Sequence, residues 1–291
     1  MQTHHCSRRH FVKSSFLTAA AVAVARAPGA TSGGRVIPIS LQLYSVREDC
    51  KKDFDATLAA VAKLGFAGVE FAGYYKYDDK KGGKAKELRA KLDELGLKAA
   101  ATHIGTNTLR GDALLRTIDF HREIGCRYLI VPGDKDFTNP EKNKALADFF
   151  NEAAAKLKPN NMACGYHNHK GEFAKAGDSN YWEQFAKNTS KDVVLQVDCG
   201  WAAAAGQDCA DLMKRYPGRM QVVHIKPSVF GNSAGKKAIF GQDSVAWGPV
   251  LTACRDFGGT DWLTLEQEAY PDGKTPMECT ALSLAALKAA R

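Results

Sequence analysis

Residues 54–71 read Phe-Asp-Ala-Thr-Leu-Ala-Ala-Val-Ala-Lys-Leu-Gly-Phe-Ala-Gly-Val-Glu-Phe. Alanine, leucine and valine recur at helical spacing through Leu64, so residues 54–64 are expected to form an amphipathic helix. Gly65 then supplies the left-handed residue that ends a helix, and 66–71 is a short apolar run of strand type. The same junction returns at Leu95-Gly96, Ile124-Gly125 and Phe257-Gly258. Working outward, strands are expected at 36–43, 66–71, 97–104, 127–131, 161–166, 193–197, 220–225 and 262–265. Helices are expected at 54–64, 84–95, 114–124, 142–157, 181–187, 210–216, 247–257 and 280–288. The strands are mostly apolar, as in a parallel sheet covered on both faces. Eight strand–helix units in one chain of this length favour an α/β fold of a single domain, a closed (β/α)8 barrel. No Gly-x-Gly-x-x-Gly follows the first strand and there is no Walker A loop, which leaves dinucleotide and nucleotide-phosphate readings without support.

The 291 residues are 45% apolar and 25% charged, an ordinary globular composition. Half of the formal charge of +8 comes from Arg8, Arg9, Lys13 and Arg26 in the first 27 residues, which contain no acid. The remaining excess is modest and no basic block is interleaved with aromatics, so nucleic acid is not an expected partner. Lys80, Lys81, Lys84 and Lys86 read as a solvated helix face. Ser7-Arg8-Arg9-His10-Phe11-Val12-Lys13, followed by a weakly apolar Ala-rich stretch, resembles a twin-arginine export signal. Its apolar part is too short for a stable membrane anchor. The expected organisation is a signal peptide at 1–30, a linker at 31–35 and the barrel at 36–291. The twin-arginine export machinery is then a partner during targeting and the periplasm the destination. Seven cysteines follow the leader without a Cys-x-x-Cys pair, and they read as small buried apolar residues rather than a disulfide framework.

In such a barrel the active site lies at the C-terminal ends of the strands. Polar residues gather there: Gln42 and Tyr44 after the first strand, Glu70 ending the second, His103 after the third. His167, Asn168, His169 and Glu172 follow the fifth, in the run Gly165-Tyr-His-Asn-His-Lys-Gly-Glu172. Asp198 ends the sixth, His224 and Lys226 the seventh, and Glu266 and Glu268 the eighth. Asp198, His224 and Glu266, one from each of three strands converging on the axis, suit a borderline to hard divalent ion. Asp198 has a second reading as the cap of a following helix, and His224 as a hydrogen-bonded core histidine. Glu266 and Glu268 project to the same side of their strand, so one can ligate while the other handles substrate. Residues 227–245, with Gly231, Gly235 and Gly241, are expected to form an ordered flap over the pocket.

The segments 36–47, Gly-Phe-Ala-Gly-Val-Glu70, Gly165-Tyr-His-Asn-His, Gln-Val-Asp198-Cys-Gly-Trp201, Val-His224-Ile-Lys226 and Leu-Glu266-Gln-Glu268 resemble the sugar phosphate isomerase/epimerase family, the xylose isomerase-like TIM barrels. The resemblance runs from about residue 36 to the C-terminus. It implies one divalent ion (manganese, cobalt, zinc, magnesium or iron) held by Asp198, His224 and Glu266, with His167 at the matching place on the fifth strand. Sugar epimerases of this group carry a glutamate there, so His167 is a departure that removes one carboxylate from the usual two-carboxylate arrangement. The shared chemistry is proton removal next to a carbonyl, through a metal-stabilised enediolate. Glu268, Lys226, His169, Glu172 and His103 form the acid–base pool, and Gln42, Tyr44, Glu70, Asn168 and Trp201 are expected at the substrate. The implied activity is a metal-dependent sugar isomerase or epimerase on a small carbohydrate. Alternatives are a lyase or hydratase on a keto-sugar or keto-glycoside, and a non-catalytic periplasmic sugar-binding protein. An apurinic-site nuclease family shares the barrel, but five histidines after the leader are few for its multi-metal cluster. A homo-oligomer is left open.

Overall fold

A computed structural model describes residues 1–2, 36–78 and 84–291. The expected leader and linker, and Lys80 and Lys81 of the lysine cluster, lie outside the described residues. Eight parallel strands form the barrel: β1 Ile39–Gln42, β2 Gly68–Phe71, β3 Lys98–His103, β4 Tyr128–Val131, β5 Ala163–His167, β6 Val194–Gln196, β7 Val222–Ile225 and β8 Trp262–Leu265. Round the sheet they run β6, β5, β4, β3, β2, β1, β8, β7. A parallel bridge between Asp198 and His224 joins the last pair. The main helices are α1 Phe54–Leu64, α2 Ala85–Glu94, α3 Gly111–Ile124, α4 Asn143–Leu157, α5 Tyr181–Asn188, α6 Cys209–Arg215, α7 Trp247–Ala253 and α8 Pro276–Ala290. The (β/α)8 barrel expected from the repeated units is therefore the fold.

Local chemistry explains the repeat. The Asp53 side chain accepts from the Ala56 N–H and starts α1, and Gly65 ends it at φ 88°, where a Cβ would be strained. Gly96 and Gly125 do the same, whereas at the fourth junction the left-handed residue is Gly259 rather than Gly258. There the expected helix 247–257 stops at Ala253 and a wide π turn, Cys254–Gly258, replaces its last turn. A large outer core lies between strands and helices, with Leu41, Phe71, Leu129, Tyr166, Leu195 and Ile225 fully buried.

Inside the barrel is a smaller apolar floor of Ala101, Tyr128, Ile130, Val194 and Val222, with Trp262 packed against it. Because side chains alternate along a strand, the residues two or four further on share that interior face: His103, Gln196, Asp198, His224, Lys226, Thr264 and Glu266. Apolar below and polar above, the interior is layered, and the polar layer is at the C-terminal end. Seven cysteines, at 50, 126, 164, 199, 209, 254 and 279, are free and buried. Among the described residues no helix is long and apolar enough to cross a membrane. Residues 227–245 are irregular but tied down: Ala238 O accepts from Gln267 Nε2, the Phe240 N–H donates to Ser283, and Lys237 pairs with Asp272.

Candidate metal centre

Four side chains from consecutive strand ends converge: His167, Asp198, His224 and Glu266, each offering one atom within 4.8 Å of the others. All four are buried. The local fold explains each. Asp198 begins a short helix, Cys199–Ala204, and one of its oxygens accepts from the Trp201 N–H at 2.8 Å. Its other oxygen, Oδ2, is buried with no hydrogen-bond partner among the described residues. That oxygen lies 3.9 Å from His167 Nε2 and 3.8 Å from His224 Nδ1. His224 Nδ1 is 3.0 Å from Glu266 Oε2. The capping reading of Asp198 therefore holds, and its second oxygen, 4.0 Å from Lys226 Nζ, is the one offered to the candidate centre.

This arrangement fits a divalent ion. A buried carboxylate oxygen without a hydrogen bond is costly unless something positive completes it. Two carboxylates and two imidazoles are the donor set of zinc, manganese, cobalt or iron sites. Without an ion, protein charges compensate in part. Burial pushes the Asp198 carboxyl up to about 7, and Glu266 adds to this while Lys226 and His224 oppose it. Burial also disfavours charge on His224, but Glu70 and Glu266 on either side override it and raise its pKa to about 10. Glu266 would be raised by burial, yet its hydrogen bond to His224 and the nearby Lys226 hold it well below the usual carboxylate range. His167 goes the other way. Burial, then the neighbouring histidines, push it well below its ordinary value, so it stays neutral and able to ligate.

The remaining expected site residues divide by position. Lys226 lies 3.4 Å from Glu266 Oε2, contacts Glu268, and sits 4.9 Å over the Trp201 ring. Burial would lower its pKa, but Asp198, Glu266 and Glu268 raise it, so it is a held cation. His103 is 12% exposed and His169 exposed, both facing His167 at 4.9–5.0 Å between ring centroids. Glu172 is turned to its own loop, accepting from the His169 N–H at 2.9 Å. Asn168 clamps the backbone of Asp198 from both sides, its oxygen taking the N–H at 3.0 Å and its amide reaching the carbonyl at 3.3 Å. Gln42 is buried and caps the turn after β1 through the Tyr44 N–H. Tyr44 is 44% exposed, with the Arg47 guanidinium over its ring. Glu70, expected at the substrate, is fully buried instead and faces the histidines. Its partner Gln196 was not among the expected site residues, although its place two residues before Asp198, on the same face of β6, is a readable signal.

Residues 58–289 match the family described as xylose isomerase-like TIM barrel. Among curated proteins, inosose dehydratase of Geobacillus kaustophilus is 26% identical over 196 residues, 59% of this chain and 61% of that protein. The chain thus spans about three fifths of that relative. The inosose dehydratase of Clostridium perfringens is 23% identical over 258 residues, 77% of this chain and 86% of that protein. Among solved structures, a sugar phosphate isomerase/epimerase from Parabacteroides distasonis has a TM-score of 0.73 at 23% identity, covering 89% of this chain and 98% of that one. A structure of the IOLI protein with a binding zinc atom has a TM-score of 0.65 at 13% identity, covering 87% and 98%. These structural likenesses speak to the fold alone.

Proposed function

The chain belongs to the xylose isomerase-like TIM-barrel family, and from that premise we propose that it is a divalent-metal-dependent enzyme removing a proton next to a carbonyl of a small polyhydroxylated substrate. The observation that carries this reading is the buried His167, Asp198, His224 and Glu266 set, whose Asp198 oxygen accepts no hydrogen bond among the described residues. A divalent ion there would act as a Lewis acid on a substrate oxygen and so acidify the adjoining C–H. Glu268, at the rim beside Lys226, takes that proton. Lys226, held as an ammonium by three carboxylates, donates to a substrate oxygen from the same side. Trp201 supplies an apolar face beside them. When the proton returns to carbon the reaction is isomerisation or epimerisation.

A second reading is dehydration, in which the proton passes to a departing hydroxyl and leaves as water. Two observations favour it: the curated relatives are named inosose dehydratases, and His167 stands where a second carboxylate would serve proton return. One experiment separates the readings. The protein, loaded in turn with zinc, manganese and cobalt, is incubated with keto-sugars and inososes in D2O. Deuterium entering a rearranged sugar supports isomerisation, and a new enone absorbance with loss of water supports dehydration. Neither signal with any loaded ion overturns the enzyme reading.

Export is part of the proposal and rests on the Ser7–Lys13 pattern. Residues 1–35 fused to a folded reporter should direct it to the periplasm, and Arg8→Lys with Arg9→Lys should abolish this. Delivery by the paired-lysine variant would remove the twin-arginine assignment.

A further inference from the structure

We propose that Glu70 is the positioning residue of this centre: directly at His224, and through Gln196 at His167, it dictates which nitrogen each imidazole offers to a divalent ion. The inference rests on the metal-centre reading and deepens it.

The argument begins with a carboxylate that is wholly inside the barrel. Glu70 ends β2 with no exposed surface. The pairing of β2 with β3 shifts register between Val69 and Glu70, so the strand is locally irregular where this side chain is aimed. An ionised carboxylate accepts hydrogen bonds and donates none. Every group facing it must therefore present a proton. His224 Nε2 lies 2.5 Å from Glu70 Oε2, and Gln196 Nε2 lies 2.8 Å from Oε1. His103 Nε2 lies 3.2 Å from the same Oε1.

The consequence for His224 is immediate. With Nε2 donating to Glu70, its other nitrogen, Nδ1, is the one turned to Glu266 Oε2 at 3.0 Å and Asp198 Oδ2 at 3.8 Å. For His167 the effect takes one more step. Since the Gln196 amide nitrogen is committed to Glu70, its oxygen must face the other way. That oxygen lies 2.9 Å from His103 Nε2 and 3.0 Å from His167 Nδ1. An amide oxygen only accepts, so His167 Nδ1 carries hydrogen and Nε2 is left for the space beside Asp198 Oδ2. Reversing the Gln196 amide would set its oxygen against the Glu70 carboxylate, two acceptors in contact in a buried site. One buried anion thus fixes an amide and two imidazoles, and the nitrogens turned away from it, His224 Nδ1 and His167 Nε2, both face Asp198 Oδ2.

The test uses the full chain and zinc ion alone. Zinc affinity is measured by competition with a chromophoric chelator for wild type, Glu70→Gln, Gln196→Leu and the double variant. The expected loss is roughly 10- to 100-fold for Glu70→Gln, with the double variant losing less than the product of the two single losses, because part of the Glu70 effect passes through Gln196. Long-range 1H–15N spectra of the zinc-loaded wild type should show His224 protonated at Nε2 and His167 protonated at Nδ1. A Glu70→Gln protein that folds and binds zinc within about threefold of wild type overturns the proposal. So does a His224 liganded through Nε2, a readout that needs no variant to fold. A wild type that binds no zinc, manganese or cobalt overturns the metal-centre reading on which this one stands.

Discussion

At the scale of single residues, Asp198 caps a helix with one oxygen and offers the other to the proposed centre, and substitutions can separate the two. Asp198→Asn keeps an oxygen to cap the Cys199–Ala204 helix through the Trp201 N–H but gives up the anionic donor. Its metal-free form should unfold at about the wild-type urea midpoint while divalent-ion binding drops a hundredfold or more. Asp198→Ala should lose the ion and, with the cap, about 1 kcal/mol of stability. Equal metal affinity in Asp198→Asn and wild type would remove Asp198 from the donor set. The cap was legible because it is a local pattern, a carboxylate at a helix start, and the proposed ligand role starts from a second one, a carboxylate at a strand end. Glu70 was legible as a site residue but not in its orientation, since its partners Gln196, His103 and His224 come from three other strands. A second histidine, His121, was not singled out by the sequence, and it predicts a pH dependence. Its Nδ1–H donates to Thr117 O at 2.6 Å and its Nε2 meets the Tyr74 hydroxyl at 2.7 Å. Burial lowers its pKa from 6.5 to about 4, against the Thr117 hydrogen bond. The folded state therefore refuses a proton that the unfolded chain accepts. The contribution is complete above the unfolded value near 6.5 and is lost as pH falls through about 4, roughly 3 kcal/mol in all. Urea titrations at pH 7 and 4.5 should show that wild type loses roughly 2 kcal/mol more than His121→Gln. Parallel losses in the two proteins would mean His121 is charged in the fold.

At the scale of elements, two contacts decide whether the strands arrive together. An added Cβ at Gly165 would lie 2.3 Å from Val194 O and 2.6 Å from Val194 Cβ. Glycine is what allows β5 and β6 to approach, and with them His167 and Gln196. Further round, Arg219 is buried and pairs with no carboxylate among the described residues. Its guanidinium instead gathers Val193 O, Ala186 O, Thr189 O and the Thr189 hydroxyl at 2.7–3.3 Å, closing the C-terminal end of α5. Burial lowers its pKa to about 10, with a nearby Tyr216 opposing. Arg219→Ala would strand several buried carbonyls at once and should cost about 3 kcal/mol in urea unfolding. A cost under about 1 kcal/mol would show that water satisfies them instead. The helices were the easier elements to read, because apolar periodicity and end signals lie within one segment. α1 matched its expected span, and α8 begins one turn earlier than expected, at Pro276, where Thr275 and Glu278 form a capping box. The expected first strand, 36–43, is instead Ile39–Gln42 followed at once by a 3-10 turn. Strand limits are set by neighbours, so one segment cannot reveal them. The span Cys199–Ala204 was not among the expected helices for a related reason: its cap was legible at Asp198, but six residues carry too little periodicity to mark a helix.

At the scale of the whole molecule, the barrel has a seam, and the candidate centre sits on it. Between most neighbouring strands the ladder runs over three or four residue pairs. Between β6 and β7 the bond from Leu195 N–H to Arg219 O precedes the strand β7, and the bond from His224 N–H to Val197 O follows the end of β6. That second bond belongs to the bridge between Asp198 and His224, two members of the proposed donor set. An ion gripped by both side chains, and by His167 and Glu266 on either side, would join β5, β6, β7 and β8 where the backbone joins them least. Metal binding should therefore stabilise this fold in a localised way. At free zinc one hundred times its dissociation constant the gain is about 2.7 kcal/mol, or roughly 5–10 °C in melting temperature for a domain of this size. Chelator should reverse it, and Asp198→Ala should not show it. Hydrogen exchange gives the sharper check, because stability need not rise evenly through a structure. Added zinc should slow exchange most in Val194–Gln196, Cys199–Ala204 and Val222–Ile225. The β1–β2 side, already laddered in register from Ser40 with Gly68 to Gln42 with Glu70, should change little. Protection gained equally all round the ring would mean that the ion acts only through global stability, and the seam would have no part in it.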